Sequence, residues 1–186
     1  MLVYLLDREP EKCEAFTYFF KDEKDVIVEQ KEFEKFIKDT YVECVVSPAN
    51  SYGLMDGGYD AAITRWYGDD LQKRVQQYII DNFYGEQPLG TSFIIPINKN
   101  NQYLIHTPTM RIPEQIKDAK IIYHCMRSTL ITASKNNIQS IVIPMFGGLT
   151  GRVSPNVAAR YMYLAYNQIK NPPNHISWDY ALDRII

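Results

Sequence analysis

Residues 45–60 read VVSPANSYGLMDGGYD and carry the most specific structural pattern in the chain. This stretch begins as the end of a β-branched strand, Val42–Val46, and continues as a loop with Asn50, a glycine pair at 57–58 and Asp60. A stretch with helical periodicity follows at once. A strand, a glycine-rich loop and a helix in that order point backbone N–H groups at a bound anion. The stretch therefore predicts an α/β fold with a ligand loop after a buried strand.

A second loop of the same kind lies further along the chain. Residues 144–152 read PMFGGLTGR and follow the apolar strand Ile138–Pro144. A helix is predicted after the loop, with Ser154 as N-cap and Pro155 at its first position. Ligands of open α/β sheets bind outside the carboxyl ends of the strands. The two loops are either simple turns or two walls of one cleft for a phosphorylated small molecule, and their joint presence favours the cleft.

Short β-branched runs alternate with stretches of helical period along the chain, which is typical of an α/β domain. The predicted strands are Leu2–Leu6, Val26–Val28, Val42–Val46, Ser92–Pro96, Tyr103–His106 and Ile138–Pro144. The predicted helices are Pro10–Phe20, Glu32–Lys38, Ala61–Phe83, one within Pro113–Asn137, and Pro155–Ile169. The tail, residues 175–186, either docks on the core or serves as a partner segment, and docking is the commoner outcome.

The composition narrows the class of protein. The chain has 186 residues, a net charge of −2 and 46% hydrophobic residues, which fits one globular domain with a real core. Near-neutral charge argues against a protein held mainly by nucleic-acid phosphates. The apolar runs are far shorter than the about 20 residues that cross a bilayer, so no membrane association is expected. Residues 1–6 are predicted as a buried strand, not a signal peptide.

Several kinds of chemistry are disfavoured by the motifs. No Gly-Lys-Ser or Gly-Lys-Thr follows either loop and no G-x-G-x-x-G occurs, so a P-loop nucleotidase and a Rossmann dehydrogenase are disfavoured. The cysteines are odd in number and well separated, at Cys13, Cys44 and Cys125. Neither disulfides nor a zinc site is therefore expected, and a reducing intracellular compartment fits best. No metal and no cofactor is expected.

Taken together, the two loops resemble the macrodomain family. Residues 45–63 are similar to its signature of a strand, an N-A-A-N sequence, a glycine run and an acidic residue, with the usual spacing from Asn50 to Asp60. Residues 103–108 resemble its V-I-H-T strand, and residues 143–152 resemble its second loop. The intact motif S-P-A-N-S-x-G-x-M-D-G-G resembles one branch of the family.

The resemblance covers about residues 26–169 and implies a single macrodomain over 1–186, with the N-terminal strand and helix and the C-terminal tail as additions. The implied fold is a three-layer α/β/α sandwich around a central mixed, mostly parallel sheet. The implied partner is ADP-ribose or an ADP-ribosylated substrate, with nucleic acid only as a modified substrate. A cytoplasmic monomer is expected. Several viruses carry such domains, and for a viral protein the location would be the host cytoplasm.

Three kinds of function stay open. Many members of the family remove ADP-ribose from proteins or nucleic acids, or hydrolyse ADP-ribose 1″-phosphate, and such a hydrolase is the leading hypothesis. A non-enzymatic reader or sensor of ADP-ribose or a related nucleotide is the second. A scaffold whose pocket is empty or binds RNA is the third. The linkage that a hydrolase would cleave is also left open.

The resemblance assigns the expected catalytic residues to the first loop. Asn50 corresponds to the family asparagine that hydrogen-bonds the distal ribose, and the other interpretation is a turn former. Asp60 corresponds to an acid that activates water in some branches, and the other interpretation is a helix N-cap. Gly57 and Gly58 would pass close to the diphosphate and the distal ribose. The expected ligand contacts also include Ala49, Tyr59 and Pro108.

In the second loop, the resemblance implies that main-chain donors cradle the phosphates. The residues concerned are Gly147, Gly148, Leu149, Thr150 and Gly151. Leu149 stands where relatives often have glycine, so its side chain is expected to point away from the ligand. Phe146 is either a core residue or a wall beside the ribose. Arg152 either assists a phosphate or is a solvated charge.

Adenine recognition in the family falls to an acidic residue in a Gly-Asp-hydrophobic turn after an early strand. The comparable place here, after Val26–Val28, reads Lys31-Glu32-Phe33 and lacks the glycine. Glu32 would accept a hydrogen bond from the adenine amino group and Phe33 would flank the base. The other interpretation of Glu32 is an exposed residue at the start of a helix.

The expected chemistry is attack of water on the anomeric carbon of the distal ribose. The proton of that water goes either to Asp60 or to a phosphate oxygen of the substrate. One hydrolase branch has a histidine one turn after the aspartate, where this chain has Thr64, so a mechanism needing that histidine is excluded. His106 is expected to be a buried, hydrogen-bonded residue and not a base.

Overall fold

The computed structural model describes residues 1–97 and 100–182. The strands are β1 (Leu2–Asp7), β2 (Val26–Gln30), β3 (Cys44–Ser47), β4 (Phe93–Ile97), β5 (Gln102–His106) and β6 (Ser140–Pro144). The helices are α1 (Pro10–Phe20), α2 (Phe33–Asp39), α3 (Gly58–Tyr67), α4 (Asp70–Phe83), α5 (Lys120–Lys135), α6 (Pro155–Lys170) and α7 (Trp178–Leu182). Each predicted strand is confirmed, with shifts of at most two residues at either end.

The described strands form one sheet in the order β2-β1-β6-β3-β5-β4. Five neighbouring strands, β2, β1, β6, β3 and β5, run parallel. Among the described strands, only the edge strand β4 is antiparallel to its neighbour. This confirms the mixed, mostly parallel sheet. The N-terminal strand, which we expected as an addition, pairs with both β2 and β6 and lies inside the sheet.

Helices cover both faces of the sheet, which confirms the three-layer sandwich. Successive strand residues point to opposite faces, so Val46 and Ile105 join one core while Val45 and Leu104 join the other. On the first face the strands pack against α1, α5 and α6. On the second face they pack against α2, α3 and α4. A sheet buried on both sides explains why its strands are apolar runs without polar alternation.

The single long helix expected over Ala61–Phe83 is wrong, because the chain breaks into α3 and α4 at Gly68. Gly68 has φ +96° and ψ 155°, a conformation that glycine adopts without steric cost. Its N–H donates to the carbonyl of Thr64 at 2.7 Å and ends α3. The break lets α3 and α4 change direction while both still bury their apolar faces in the same core.

The described part of the tail lies on the surface and buries none of the side chains of α7. Trp178 is 84% exposed, whereas Tyr180 is half-buried with its hydroxyl shielded from solvent, so the expected docking of this segment is partial. The prediction for the tail also covers residues 183–186, which lie outside the described residues. Among the described helices, none combines the length and the apolar character that a bilayer crossing requires.

Candidate functional site

A cavity of about 440 Å³ lies at the carboxyl ends of the five parallel strands. The segments that follow β1, β2, β3, β5 and β6 all contribute to its wall. The two glycine-containing loops follow β3 and β6, which are neighbours in the sheet, and both line this cavity. The structure therefore brings the loops together in one cleft, as the sequence predicts.

Asn50 is buried in the wall and tied to its own loop by three hydrogen bonds. Its Oδ1 accepts from the backbone N–H of Tyr52 at 3.1 Å and of Leu54 at 3.3 Å, and its Nδ2 donates to the Leu54 carbonyl at 2.9 Å. Asparagine forms such turns readily because its short amide reaches the backbone two residues on. An amide nitrogen carries two donors, and within the described part of the chain one N–H of Asn50 has no partner, so it is available to a ligand.

Asp60 lies in the first turn of α3 and is 8% exposed. It is not the N-cap, which is Gly57, so the expectation of a capping role for Asp60 is wrong. Its Oδ1 accepts a hydrogen bond from the Ser47 hydroxyl at 2.6 Å. Burial raises the pKa of this carboxyl group to about 7, against the opposing effect of the Ser47 hydrogen bond. The group is thus poised to gain or lose a proton near neutral pH.

Aromatic side chains form the part of the wall near β2. Phe33 is 3% exposed and meets the ring of Tyr59 edge-on, with 5.2 Å between the ring centroids. The Tyr59 hydroxyl is buried without a hydrogen-bond partner among the described residues. Glu32 is at the N-cap position of α2, and its half-exposed side chain also lines the cavity. The residues expected at adenine therefore do share one end of the cavity.

The second loop is held by backbone hydrogen bonds and by tight packing at its glycines. Gly147 has φ +71°, and a Cβ there would lie 2.9 Å from Ile116 Cδ1. A Cβ on Gly151 would lie 2.8 Å from the carbonyl oxygen of Gly147. The Val153 N–H donates to that carbonyl at 3.1 Å and closes the turn. Glycine is thus required at both positions, which bring the backbone itself to the cavity.

Four residues expected at the ligand lie outside the cavity wall. Phe146 is fully buried beneath the loop, where it belongs to the core between the sheet and helices α1, α5 and α6. Pro108 is buried, and its carbonyl accepts from the Gly90 N–H. Gly148 faces Met145 and the stem of Lys12. Arg152 is exposed with φ +53°, so it is placed as a solvated charge.

Leu149 differs from expectation because its side chain does not turn away. It lines the cavity and is 54% exposed. Its Cδ2 would lie 3.0 Å from a Cβ on Gly58 in the first loop. The side chain therefore reaches across from one loop to the other at the mouth of the cavity. The remaining expected contacts that line the cavity are Ala49, Gly57, Gly58 and Thr150.

Neither Thr64 nor His106 can act as a histidine base in the cavity. Thr64 donates its hydroxyl to nearby backbone carbonyls, including that of Met55 at 3.2 Å. His106 is fully buried, and its Nδ1 lies 2.6 Å from Gln87 Oε1. Burial lowers the pKa of His106 to about 3, so the ring is neutral. The expectation that His106 is a buried, hydrogen-bonded residue is confirmed.

The sequence did not predict the residues that β1 and α1 bring to the cavity. Asp7, Arg8, Glu9 and Lys12 all line it. The available signal was the run Leu6-Asp7 followed by a helix that starts at Pro10, which is again a strand, a polar loop and a helix. Because this run contains no glycine, the pattern that identified the other two loops passed over it.

Comparisons with known proteins identify one family model and two uncharacterised relatives. The family model described as Macro domain matches residues 46–162. An uncharacterised protein of Aquifex aeolicus is 29% identical over 127 residues, which cover 68% of this chain and 73% of that protein. One of Aeropyrum pernix is 28% identical over 123 residues, or 66% of this chain and 62% of that protein.

Solved structures with the same fold include two bacterial ones. The macrodomain of Mycobacterium tuberculosis DarG superposes with a TM-score of 0.60 at 18% identity, over 69% of this chain and 83% of that one. The Oceanobacillus iheyensis macrodomain with ADP has a TM-score of 0.60 at 23% identity, over 68% of each chain. These likenesses extend over about two thirds of the chain and show its fold.

Proposed function

Because this chain belongs to the macrodomain family, we propose that it binds ADP-ribose in the cavity and hydrolyses an ADP-ribosyl bond there. The observation that carries the catalytic part is Asp60, a buried carboxyl group with a pKa of about 7 that is hydrogen-bonded to Ser47 and shares the cavity with Asn50. A general base works best when its pKa lies near the operating pH.

The sheet order supports ADP-ribose as the ligand. The segment with Glu32 follows β2, the second loop follows β6, and Asp60 lies beyond β3. Strands are about 4.8 Å apart, so β2 and β3 are separated by about 14 Å across the sheet. That span suits an extended molecule with a base at one end, a diphosphate in the middle and a ribose at the other. The cavity volume also falls in the usual range for small-molecule sites.

The diphosphate would lie along the second loop. Gly147 and Gly151 bring the backbone of the loop to the cavity and carry no side chain of their own. Backbone amides at the start of a helix bind anions through fixed dipoles. The net charge of −2 is therefore compatible with an anionic ligand.

In the proposed reaction, water attacks the anomeric carbon of the distal ribose. The oxygen of water forms a bond to that carbon while the bond to the linked group breaks. Asp60 takes the proton released by the water and afterwards gives it to the leaving group. Ser47 donates a hydrogen bond to the carboxylate and holds its orientation. The free N–H of Asn50 positions the ribose hydroxyls.

A non-enzymatic reader of ADP-ribose is the second candidate. It is favoured by Thr64, whose hydroxyl is occupied by backbone carbonyls and offers no second proton-transfer group. A reader would bind ADP-ribose in the same cavity and leave every ADP-ribosyl bond intact.

One experiment separates the two. Purified protein is incubated with ADP-ribose 1″-phosphate, an ADP-ribosylated protein and an ADP-ribosylated oligonucleotide, and released ADP-ribose is measured beside calorimetric binding. A hydrolase releases ADP-ribose from at least one substrate. Binding without release on all three selects the reader, and no binding at all rejects both.

We propose a cytoplasmic setting on the state of the cysteines, and the expected monomer stays a prediction. Cys13, Cys44 and Cys125 are free and buried. Burial raises the pKa of Cys125 to about 12, so this thiol stays protonated and unreactive. Such thiols suit a reducing compartment.

A further inference from the structure

A buried lysine faces the proposed phosphate loop from the N-terminal part of the chain. Lys12 is the third residue of α1, lines the cavity, and has a side chain only 6% exposed. A Cβ on Gly148 would lie 3.3 Å from its Cε, so the lysine stem packs directly against the second loop. Residues 1–45 precede the segment that matches the family model. Lys12 thus lies in a part of the chain that the family model does not cover.

Two carboxylates hold the Lys12 ammonium group, and they differ in exposure. Asp7 Oδ2 is 3.6 Å from the Nζ atom and its side chain is 14% exposed. The other oxygen of Asp7 accepts from the Glu9 N–H at 3.0 Å, which fixes the carboxylate in place. Glu9 Oε1 is 3.1 Å from the Nζ atom, and the Glu9 side chain is 45% exposed. Asp7 is therefore a fixed partner, whereas Glu9 can leave to water.

We propose that Lys12 binds the diphosphate of the ligand and that the phosphate replaces Glu9 as its partner. This inference rests on the proposed function, because it names a further group in the same site. An ammonium group has three donors, and its hydrogen bonds to phosphate are stronger than neutral ones. The glycine loop supplies N–H dipoles on one side of the phosphates, and Lys12 supplies a full charge on the other.

The arrangement explains why the charge is buried. A buried ammonium is costly unless it is paired, and Asp7 with Glu9 pairs it in the free protein. When phosphate enters, the Glu9 carboxylate becomes a like charge beside it and moves out into solvent. The N-terminal strand and helix then form one wall of the ligand site, in addition to completing the sheet.

The test measures the binding of two ligands to variants that are expected to change ADP-ribose affinity in opposite directions. Lys12→Met should weaken ADP-ribose binding by about tenfold to a hundredfold and leave the binding of adenosine, which has no phosphate, unchanged. Glu9→Gln should tighten ADP-ribose binding by about threefold to tenfold, because it removes a competing carboxylate. Lys12→Arg should restore most of the affinity. Lys38→Met removes one charge from the exposed last turn of α2 and serves as control.

Each result is decisive. A purely structural Lys12 predicts that Lys12→Met weakens both ligands equally and that Glu9→Gln does not tighten ADP-ribose, and either finding overturns the inference. Equal ADP-ribose affinity in Lys12→Met and the unaltered protein also overturns it, while the proposed function stands. A wild-type protein that binds no ADP-ribose rejects the proposed function and the inference together. Thermal unfolding of each variant separates loss of affinity from loss of fold.

Discussion

The loops after β3 and β6 line one cavity but are built in different ways. Side chains hold the first loop, through the three hydrogen bonds of Asn50 and the bond from Ser47 to Asp60. Glycine geometry holds the second, where Gly147 and Gly151 leave no space for a Cβ. The first loop presents Asn50 and Asp60 to the cavity, and the second presents the backbone of its glycines beside Leu149 and Thr150.

This difference assigns each loop a separate task and a separate weakness. The first loop should lose its function when its titratable group is lost, although Gly53, with φ +64° and a Cβ position 2.7 Å from Val75 Cγ1, also leaves no space for a side chain. The second loop should tolerate changes at exposed side chains but not an added Cβ at Gly147 or Gly151. Substitutions at Asp60 and at Gly151 should therefore affect different properties of the site, and the following experiments use that contrast.

The largest effect is expected from Asp60→Asn. Turnover should fall by about 10²- to 10⁴-fold, because the amide cannot take a proton from water, while ADP-ribose affinity stays within about threefold. In the unaltered protein the rate should rise as pH passes through about 7, where the Asp60 carboxyl group ionises, and then level off. Asp56→Asn, an exposed acid on the same wall, is the control. Full turnover in Asp60→Asn would remove Asp60 from the mechanism.

A smaller but clear effect is expected from adding one methyl group to the second loop. Gly151→Ala places a Cβ 2.7 Å from Ile116 Cδ1 and 2.8 Å from a carbonyl oxygen. It should cost about 1–3 kcal/mol of unfolding free energy and weaken ADP-ribose binding about tenfold. Gly57→Ala in the first loop meets no protein atom within 4 Å and should leave the free energy of unfolding unchanged. Equal effects of the two variants on thermal unfolding would contradict the contrast between the loops.

The next effect concerns how the free energy of unfolding depends on pH. Because the folded chain holds the Asp60 proton with a pKa of about 7, above the ordinary 3.8, stability should decline as pH rises between these values. Asp60→Asn removes this decline, so above pH 7 the variant should be more stable than the unaltered protein, by about 1 kcal/mol or more. Urea unfolding at several pH values measures this. A variant that is less stable at pH 8 would show that the carboxylate is stabilising.

The smallest effect is expected from Arg152→Ala. The side chain is exposed and does not line the cavity, so ADP-ribose affinity should change by less than about twofold. Calorimetry at low salt, where an exposed charge acts most strongly, is the strictest measurement. A loss of tenfold or more would mean that the second loop also binds through a side chain.

The sequence identified the strands and the two loops because local patterns encode them. Asn50, Asp60 and the glycines of the second loop stand after apolar strands, and their spacing carries the family resemblance. Lys12 was missed because its place at the cavity depends on β1 lying beside β6, a contact between residues more than a hundred positions apart. The local pattern also could not predict whether Gly68 breaks the helix or whether Phe146 lies in the core or at the ligand. A glycine within a helical pattern is either tolerated or breaks the helix, according to the packing of both sides.

The most direct test is a titration of ¹⁵N-labelled protein with ADP-ribose, followed by the backbone amide signals. We expect saturable shifts at Gly57, Gly58, Gly147, Thr150 and Gly151, and none at Asp179 in the exposed helix α7. The shifts in both loops should follow the same binding curve, since the two loops line one cavity. An absence of shifts, or shifts confined to residues outside the cavity, would contradict ADP-ribose binding at the carboxyl ends of the strands.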